Sequence, residues 1–209
     1  LISDEDVLKD IILSESNELI SADAIRNDNF TNRETLEELI SEKSSPEILF
    51  EAISKIENQE TLKDYVKNNL KPDCVTLKAI SRVNDLIFLE SLLSDSDSKI
   101  CLEAVRRISK LENNRYLLHD VALIESDVEV CLEAISAMDV RNDLIEVADI
   151  RSEKEIRVAA IKHIKTEQLL YHYEMALTQY SLADLPFEDA LKNMALNDDD
   201  EDIRRIATS

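Results

Sequence analysis

An apolar pattern recurs along the chain, and each copy is centred on an alanine. Apolar side chains stand four and two residues before the alanine, and one and four residues after it. Clear copies are centred on Ala52, Ala79, Ala104, Ala134 and Ala160. Successive alanines are 27, 25, 30 and 26 residues apart, a spacing typical of solenoid repeat proteins. The pattern therefore predicts a chain built from repeats.

A second amphipathic segment follows each alanine-centred segment. Its first leucine lies ten residues after the alanine, or fourteen where four residues are inserted near 112–116, and these leucines are Leu62, Leu89, Leu118, Leu144 and Leu170. In the first four segments, apolar residues follow three and four positions later, which places them on one helical face. Each repeat is therefore predicted to be a helix pair, over 45–71, 72–96, 97–126, 127–151 and 152–180.

The composition favours the same fold class. The 209 residues include no glycine, where average usage would give about 15. Tight β-hairpins and glycine-rich phosphate loops depend on glycine for backbone conformations with positive φ. Neither a Walker loop nor a GxGxxG turn can be written without it. The sequence therefore predicts an all-α protein without these nucleotide-binding motifs.

Short polar segments separate the predicted repeats. Seven residues before each alanine stand Ser45, Pro72, Asp97, Asp127 and Glu153. Ser and Asp can cap exposed backbone N–H groups at a helix start, and Pro suits the first turn. The acidic run 198–202 is also predicted to cap a helix, because it lacks the glycine that an EF-hand calcium loop requires.

The repeat resembles the HEAT-like repeats named after phycobiliprotein lyase subunits. Those repeats carry an Ile/Val-Arg pair after an acidic turn, followed by paired small residues, and the segments 155–161 and 202–207 match this motif. Cys101 and Cys131 depart from it, since cysteine stands where the arginine would be. The resemblance covers roughly 45–165. It implies an α-solenoid, a right-handed superhelix of antiparallel helix pairs of the HEAT/ARM kind, and a scaffold role in protein contacts.

The ends of the chain follow the pattern less closely. A weaker unit spans Ile20–Ile40, and 4–13 is predicted to be the second helix of a pair begun upstream. From Ala160 to Ala207 the spacing is 47 residues, which predicts an extended second helix over 166–180 and an extra helix over 186–196. We expect one α-solenoid domain over 1–209, of some seven helix pairs, as a segment of a longer protein.

The chain is strongly acidic, with 45 Asp and Glu against 24 Lys and Arg and a formal net charge of −21. Such a charge opposes nucleic-acid binding, which depends on neutralising phosphates, and it attracts a basic protein partner. No apolar run approaches the 18 or so residues of a membrane span. The odd number of cysteines argues against a disulfide framework, so we expect free thiols, a cytoplasmic location and no membrane contact.

The sequence offers little for catalysis. His119, His163 and His172 have no metal-site spacing, and no HExxH motif occurs. We therefore expect no enzyme activity, no metal and no cofactor.

DNA glycosylases with HEAT-like folds present basic residues, which would be Lys55, Arg82, Arg107 and His163 here. Glu51 and Glu103 stand four residues before Lys55 and Arg107, so i, i+4 ion pairs are expected to neutralise this row.

The strongest candidate for a binding surface is a row twelve positions after the alanines, allowing for the insertion and for a two-residue offset in the first unit. It comprises Glu38, Asp64, Ser91, Asp120, Glu146 and His172. By the resemblance, these positions line the concave surface, although they are also compatible with ordinary exposed polar positions.

The predicted function is a non-catalytic protein-interaction scaffold for a basic partner. The alternative is an auxiliary lyase-like or chaperone subunit that handles a cofactor or its carrier, and an apolar cavity near the inserted helices would favour it.

Overall fold

The computed structural model describes residues 4–41, 44–178 and 186–208, with side chains except at Arg141 and 167–190. All regular elements in these residues are α-helices, which confirms the all-α class. The helices are α1 (Glu5–Ser14), α2 (Glu18–Arg26), α3 (Arg33–Ser41), α4 (Pro46–Lys55), α5 (Gln59–Asn68), α6 (Cys74–Ile80), α7 (Leu86–Leu92), α8 (Ser98–Ile108), α9 (Arg115–Ile124), α10 (Val128–Ser136), α11 (Arg141–Ile150), α12 (Lys154–Thr178), α13 (Pro186–Asn197) and α14 (Glu201–Thr208).

The chain divides into two compact units, Leu1–Arg107 and Ile108–Ser209. In the first unit, α2 packs on α4 and α4 packs on α6, so the first helices of successive repeats are neighbours. Helices α3 and α5 pack against α4 and α6, each the first helix of the next repeat. This is the packing order expected when consecutive helix pairs stack.

The second unit has the same kind of order. Helix α10 packs on α12 and α12 on α14, while α9 packs on α11 and α11 on α13. Helix α11 also packs against α12, and α13 against α14. No helix in the described part of the chain is long and apolar enough to cross a membrane.

The alanines of the repeated pattern form the centre of the packing. Ala52, Ala79, Ala104, Ala134 and Ala160 are all fully buried. The residues one and four positions after them are buried as well, whereas the residue two positions before is mostly half-buried. The position three before the alanine is buried in four of the five repeats, as Leu49, Thr76, Cys101 and Cys131. The buried stripe thus follows i−4, i−3, i, i+1 and i+4, which is one face of a helix.

The second helices contribute leucines to the same core. Leu62, Leu89, Leu118 and Leu144 are buried, as their spacing predicts. Fully burying a side chain of this size contributes about 1.5–3 kcal/mol to folding. Leu170 lies outside the residues whose side chains are described.

Polar residues between the helices cap them. The carboxylate of Asp73 accepts from the backbone N–H groups of Val75 and Thr76, and Asp127 accepts from those of Glu129 and Val130. Asp97 and Asp127 therefore cap as their positions predict. Ser45, in contrast, makes no side-chain capping hydrogen bond, and Pro72 lies before the capping residue of α6 rather than in its first turn. In the four-residue insertion, Asn113 has φ of 59°, a conformation that asparagine tolerates better than most residues, and one that glycine often provides elsewhere.

The repeat over 152–180 differs from the expected helix pair. Helix α12 is one continuous helix of 25 residues from Lys154 to Thr178, although the sequence predicts a break before 166. Asn58 and Asp85 cap the second helices α5 and α7. Thr166, at the expected break, instead donates its hydroxyl proton to the carbonyl of Lys162, 3.0 Å away. The backbone stays helical through this position, and the first helix continues to Thr178. Helix α13 begins at Pro186, as predicted.

Candidate functional site

The predicted binding row lies on the second helices and is exposed wherever its side chains are described. Glu38 lies on α3, Asp64 on α5, Ser91 on α7, Asp120 on α9 and Glu146 on α11. His172 belongs to α12, in the stretch whose side chains are not described. The exposure is required of a binding surface, and it is equally compatible with ordinary surface positions.

In the first unit, the row is partly neutralised by its own neighbours. The carboxylate of Asp64 lies 3.3 Å from the ammonium group of Lys67 on the same helix. Lys67 also lies over the ring of Phe88, 5.8 Å from its centre. The hydroxyl of Ser91 donates to the carbonyl of Phe88 at 2.6 Å. The row in this unit is therefore less acidic than the sequence suggests.

In the second unit, two members of the row lie on either side of one histidine. His119 Nε2 is 3.3 Å from a carboxylate oxygen of Glu146, and its Nδ1 is 3.9 Å from Asp120. The histidine side chain is 19% exposed, whereas both carboxylates are exposed. Helices α9 and α11 pack side by side, and this packing brings the two carboxylates together.

A bidentate ion pair also joins these two helices. Nε and Nη2 of Arg115 donate to the two carboxylate oxygens of Asp143, each at 2.8 Å. This hydrogen bonding lowers the pKa of Asp143 and outweighs the burial that would raise it. Asp143 therefore stays ionised across the neutral range.

One helical turn beyond the two carboxylates, each helix ends in an exposed isoleucine. Ile124 closes α9 and is 81% exposed, and Ile150 closes α11 and is 62% exposed. Tyr116 is exposed one turn before Asp120. We call the surface formed by Tyr116, Asp120, Ile124, Glu146 and Ile150 the α9/α11 patch.

Sequence reasoning missed the two isoleucines, although a signal was available. Ile124 follows Asp120 by four residues, and Ile150 follows Glu146 by four. Both therefore occupy one repeat position on the polar face of an amphipathic helix. An apolar residue repeated on that face is unexpected if the face only meets water.

The basic row has partners different from those expected. Lys55 donates its ammonium protons to the carbonyls of Asn27 and Phe30 at 2.5 and 2.9 Å. The carboxylate of Glu51, which we expected to pair with Lys55, instead accepts from Arg26 at 2.5 Å. The prediction of i, i+4 neutralisation is therefore wrong for this pair, because a carbonyl-rich turn of the preceding repeat lies within reach of the lysine.

The two buried cysteines lack the features of nucleophiles. Cys101 and Cys131 donate from Sγ to the carbonyls of Asp95 and Glu125, each at 3.3 Å. Burial raises the pKa of Cys131 above its usual value, so its thiol stays protonated near neutral pH. Cys74 is free and exposed.

The acidic run at 198–202 is occupied by the protein's own groups. Asp198 pairs with Arg157, while Asp200 caps α14 by accepting from the backbone N–H of Asp202 at 2.8 Å. Lys154 pairs with both Asp200 and Asp202. Over the described ranges, no group of three His, Cys, Asp or Glu side chains is arranged to hold a metal ion.

The cavity that would favour a lyase-like role was expected near 181–197, and most of that stretch lies outside the residues with described side chains. Compared with known proteins, the chain matches no protein-family model, no curated protein and no solved structure.

Proposed function

We propose that this protein is a non-catalytic interaction scaffold, and that its α9/α11 patch binds a basic, amphipathic segment of a protein partner. The proposal rests on one observation. Ile124 and Ile150 are 81% and 62% exposed at equivalent positions of two packed helices, each one turn from a carboxylate. An apolar pair beside acidic groups complements a segment that carries both apolar and basic side chains.

The energetics favour this kind of partner over a purely charged one. Burying each isoleucine side chain would contribute about 1.5–3 kcal/mol, whereas exposed ion pairs contribute about 0–1 kcal/mol each. The isoleucines would therefore supply most of the affinity. Asp120 and Glu146 would mainly set the orientation and the association rate, helped by the net charge of −21.

An amphipathic helix is the form of partner that fits best. Such a helix presents apolar anchors at i, i+3, i+4 and i+7. This spacing would allow one helix to contact both Ile124 and Ile150. Its lysines and arginines would then face Asp120 and Glu146. Two isoleucine anchors together contribute about 3–6 kcal/mol, and the association itself costs several kcal/mol, so the patch supports weak, transient binding rather than nanomolar affinity.

The scaffold is proposed to be a HEAT-like α-solenoid. The order of packing within each unit supports this, because first helices neighbour first helices along the chain. A small-angle X-ray scattering measurement tests the proposal. A globular protein of this length has a radius of gyration of about 17 Å, and a solenoid should clearly exceed that value. A radius at the globular value would contradict the solenoid.

The binding proposal is tested with a synthetic 18-residue helical peptide of lysine and leucine, labelled for fluorescence anisotropy. Two double variants remove the patch, Ile124→Ser with Ile150→Ser and Asp120→Lys with Glu146→Lys. Each should weaken peptide binding more than tenfold. All four positions are exposed, so stability should change by no more than about 0.5 kcal/mol.

A matched control separates the patch from general attraction to an acidic protein. Ile87 on α7 is 80% exposed, and Glu90 on the same helix is also exposed. The variant Ile87→Ser with Glu90→Lys should bind the peptide as the unmodified protein does. Equal weakening in the control, or no weakening in the patch variants, would show that the patch is not the binding surface.

A further inference from the structure

A polar pocket of about 350 Å³ lies in the first unit, where the turn after α6 meets the end of α8 and the start of α5. Its lining comprises Glu57, Gln59, Ser81, Arg82, Asn84 and Arg107. Two arginines of successive repeats therefore share one pocket with three neutral polar residues and a single carboxylate. No part of the α9/α11 patch contributes to it.

Each arginine donates hydrogen bonds from only part of its guanidinium group. Arg82 donates from Nη2 to the carbonyl of Ile56 at 2.9 Å. Arg107 donates from Nε to the carbonyl of Val83 at 2.6 Å, and from Nη2 to the side-chain oxygen of Asn84. These bonds fix both planar groups and leave donors unused. Within the described residues, Nη1 of both arginines and the buried Nε of Arg82 have no acceptor.

The charges of the two arginines are also uncompensated. Neither forms an ion pair within the part of the chain that the structure describes. Burial lowers the pKa of Arg107, and the neighbouring positive charge of Arg82 lowers it further. Lys55, the equivalent residue one repeat before Arg82, differs because Asp28 and Glu51 oppose the effect of burial on its pKa.

The chain has 45 carboxylates, yet none of them forms an ion pair with the two arginines of this pocket in the described residues. Partly buried like charges destabilise a fold unless an opposite charge joins them. Glu57 in the lining is exposed and is the only carboxylate there, so the pocket keeps a net positive charge. The pocket therefore suits an anion from outside the chain.

We propose that this pocket binds a small phosphate-bearing ligand, such as inorganic phosphate or a phosphate monoester. Guanidinium groups donate paired, parallel hydrogen bonds that match the oxygens of a phosphate. The side-chain oxygen of Asn84 accepts from Arg107, which leaves its NH₂ group as a further donor. The volume suits a phosphate with a small substituent. A nucleic acid fits less well, since the net charge of the chain repels a polyanion.

The test is isothermal titration calorimetry with sodium phosphate and with phenyl phosphate, against sodium acetate and sodium chloride at matched ionic strength. Phosphate and phenyl phosphate should bind saturably with one site, and acetate at least tenfold more weakly. The double variant Arg82→Gln with Arg107→Gln should lose at least tenfold in phosphate affinity. Arg106→Gln, an exposed neighbour on α8, should bind normally.

The two arginines also hold backbone carbonyls, so a second measurement uses the unmodified protein. Phenylglyoxal modification of arginines, followed by peptide mass spectrometry, should slow at Arg82 and Arg107 in the presence of phosphate, and stay unchanged at Arg106. Equal rates with phosphate and chloride would overturn the proposal. So would acetate binding as tight as phosphate, or a duplex oligonucleotide that binds more tightly through the same two arginines.

Discussion

The residue three positions before each alanine shows how different side chains perform one task. In four successive repeats this residue donates a hydrogen bond to a carbonyl near the end of the preceding helix. The donors are Thr76, Cys101, Cys131 and Arg157, and their acceptors are the carbonyls of Asn69, Asp95, Glu125 and Ala148. A short donor can replace arginine here because the acceptor lies close to the helix. The cysteines that depart from the HEAT-like motif thus keep the hydrogen bond that its arginine makes in this chain.

At the same scale, we predict that Asp198→Asn destabilises the protein. The carboxylate of Asp198 is 8% exposed and pairs with Arg157, which is 16% exposed. Burial alone would raise the pKa of Asp198, but the hydrogen bonds from Arg157 and from the backbone of Asp200 lower it. Breaking a buried pair costs about 3 kcal/mol, because it leaves one charge unpaired. Urea unfolding measures the loss.

The matched control is Asp199→Asn, since Asp199 is exposed in the same turn. It should change the free energy of unfolding by no more than about 0.5 kcal/mol. A similar loss in both variants would mean that the turn, rather than the ion pair, is responsible.

Individual residues were predictable from the sequence only where the partner is close in the chain. The predicted caps Asp97 and Asp127 bind backbone groups two or three residues away, so a local pattern contains all that is needed. Arg157 and Asp198 are separated by 41 residues, and Arg82 and Arg107 by 25. Only the packing of repeats brings such residues together. The apolar pattern predicts the helices, but it does not indicate which distant polar side chains will meet.

At the scale of elements, Asp85 connects two successive second helices. It caps α7 by accepting from the backbone N–H of Phe88 at 3.1 Å, and it accepts from Lys63 of α5 at 2.8 Å. Removing a cap costs about 1 kcal/mol, and the ion pair adds up to about 1 kcal/mol. We predict that Asp85→Ala lowers the free energy of unfolding by about 1–2 kcal/mol, measured by urea unfolding. The control Asp64→Ala should lower it far less, because Asp64 is exposed and pairs only within its own helix.

The effect of Asp85→Ala should also depend on pH. The hydrogen bond from Lys63 lowers the pKa of Asp85. A carboxyl whose pKa is lower in the folded state stabilises fully above the pKa of the unfolded chain, near 4. That stabilisation is lost as the pH falls through the folded value. The difference between Asp85→Ala and the unmodified protein should therefore be constant from pH 5 to 7 and shrink in stronger acid. A difference that grows in acid would contradict this assignment.

The helices were largely predictable from their apolar spacing, and some helix starts are also marked by a capping side chain, as at Asp97 and Asp127. The exception at α12 follows from the same physics. Apolar spacing alone suggested a second helix at 166, but no residue there caps a new helix, and Thr166 bonds to the helix it continues. Helices α9 and α11 also begin without a side-chain cap, so apolar spacing was sufficient there but not at 166.

At the scale of the whole molecule, the dominant electrostatic feature is the mutual repulsion of the acidic side chains. The formal net charge is −21, and such a charge destabilises a compact chain. Several ion pairs have an exposed partner, for example Arg26 with Asp23 and Lys67 with Asp64, and exposed pairs contribute about 0–1 kcal/mol each. Salt screens both the repulsion and these pairs. Because the repulsion involves every carboxylate, its screening should outweigh the loss of the pairs.

We therefore predict that sodium chloride stabilises the protein. The screening length falls from about 30 Å at 0.01 M to about 8 Å at 0.15 M, so the urea midpoint should rise over this range and level off above it. A variant with fewer charges provides the control. Neutralising four exposed carboxylates to the matching amides changes the net charge from −21 to −17, and the positions chosen are Asp10, Glu38, Glu90 and Glu112. This variant should be more stable at low salt and respond less to added salt. A midpoint that falls with salt in both proteins would show instead that the ion pairs outweigh the repulsion.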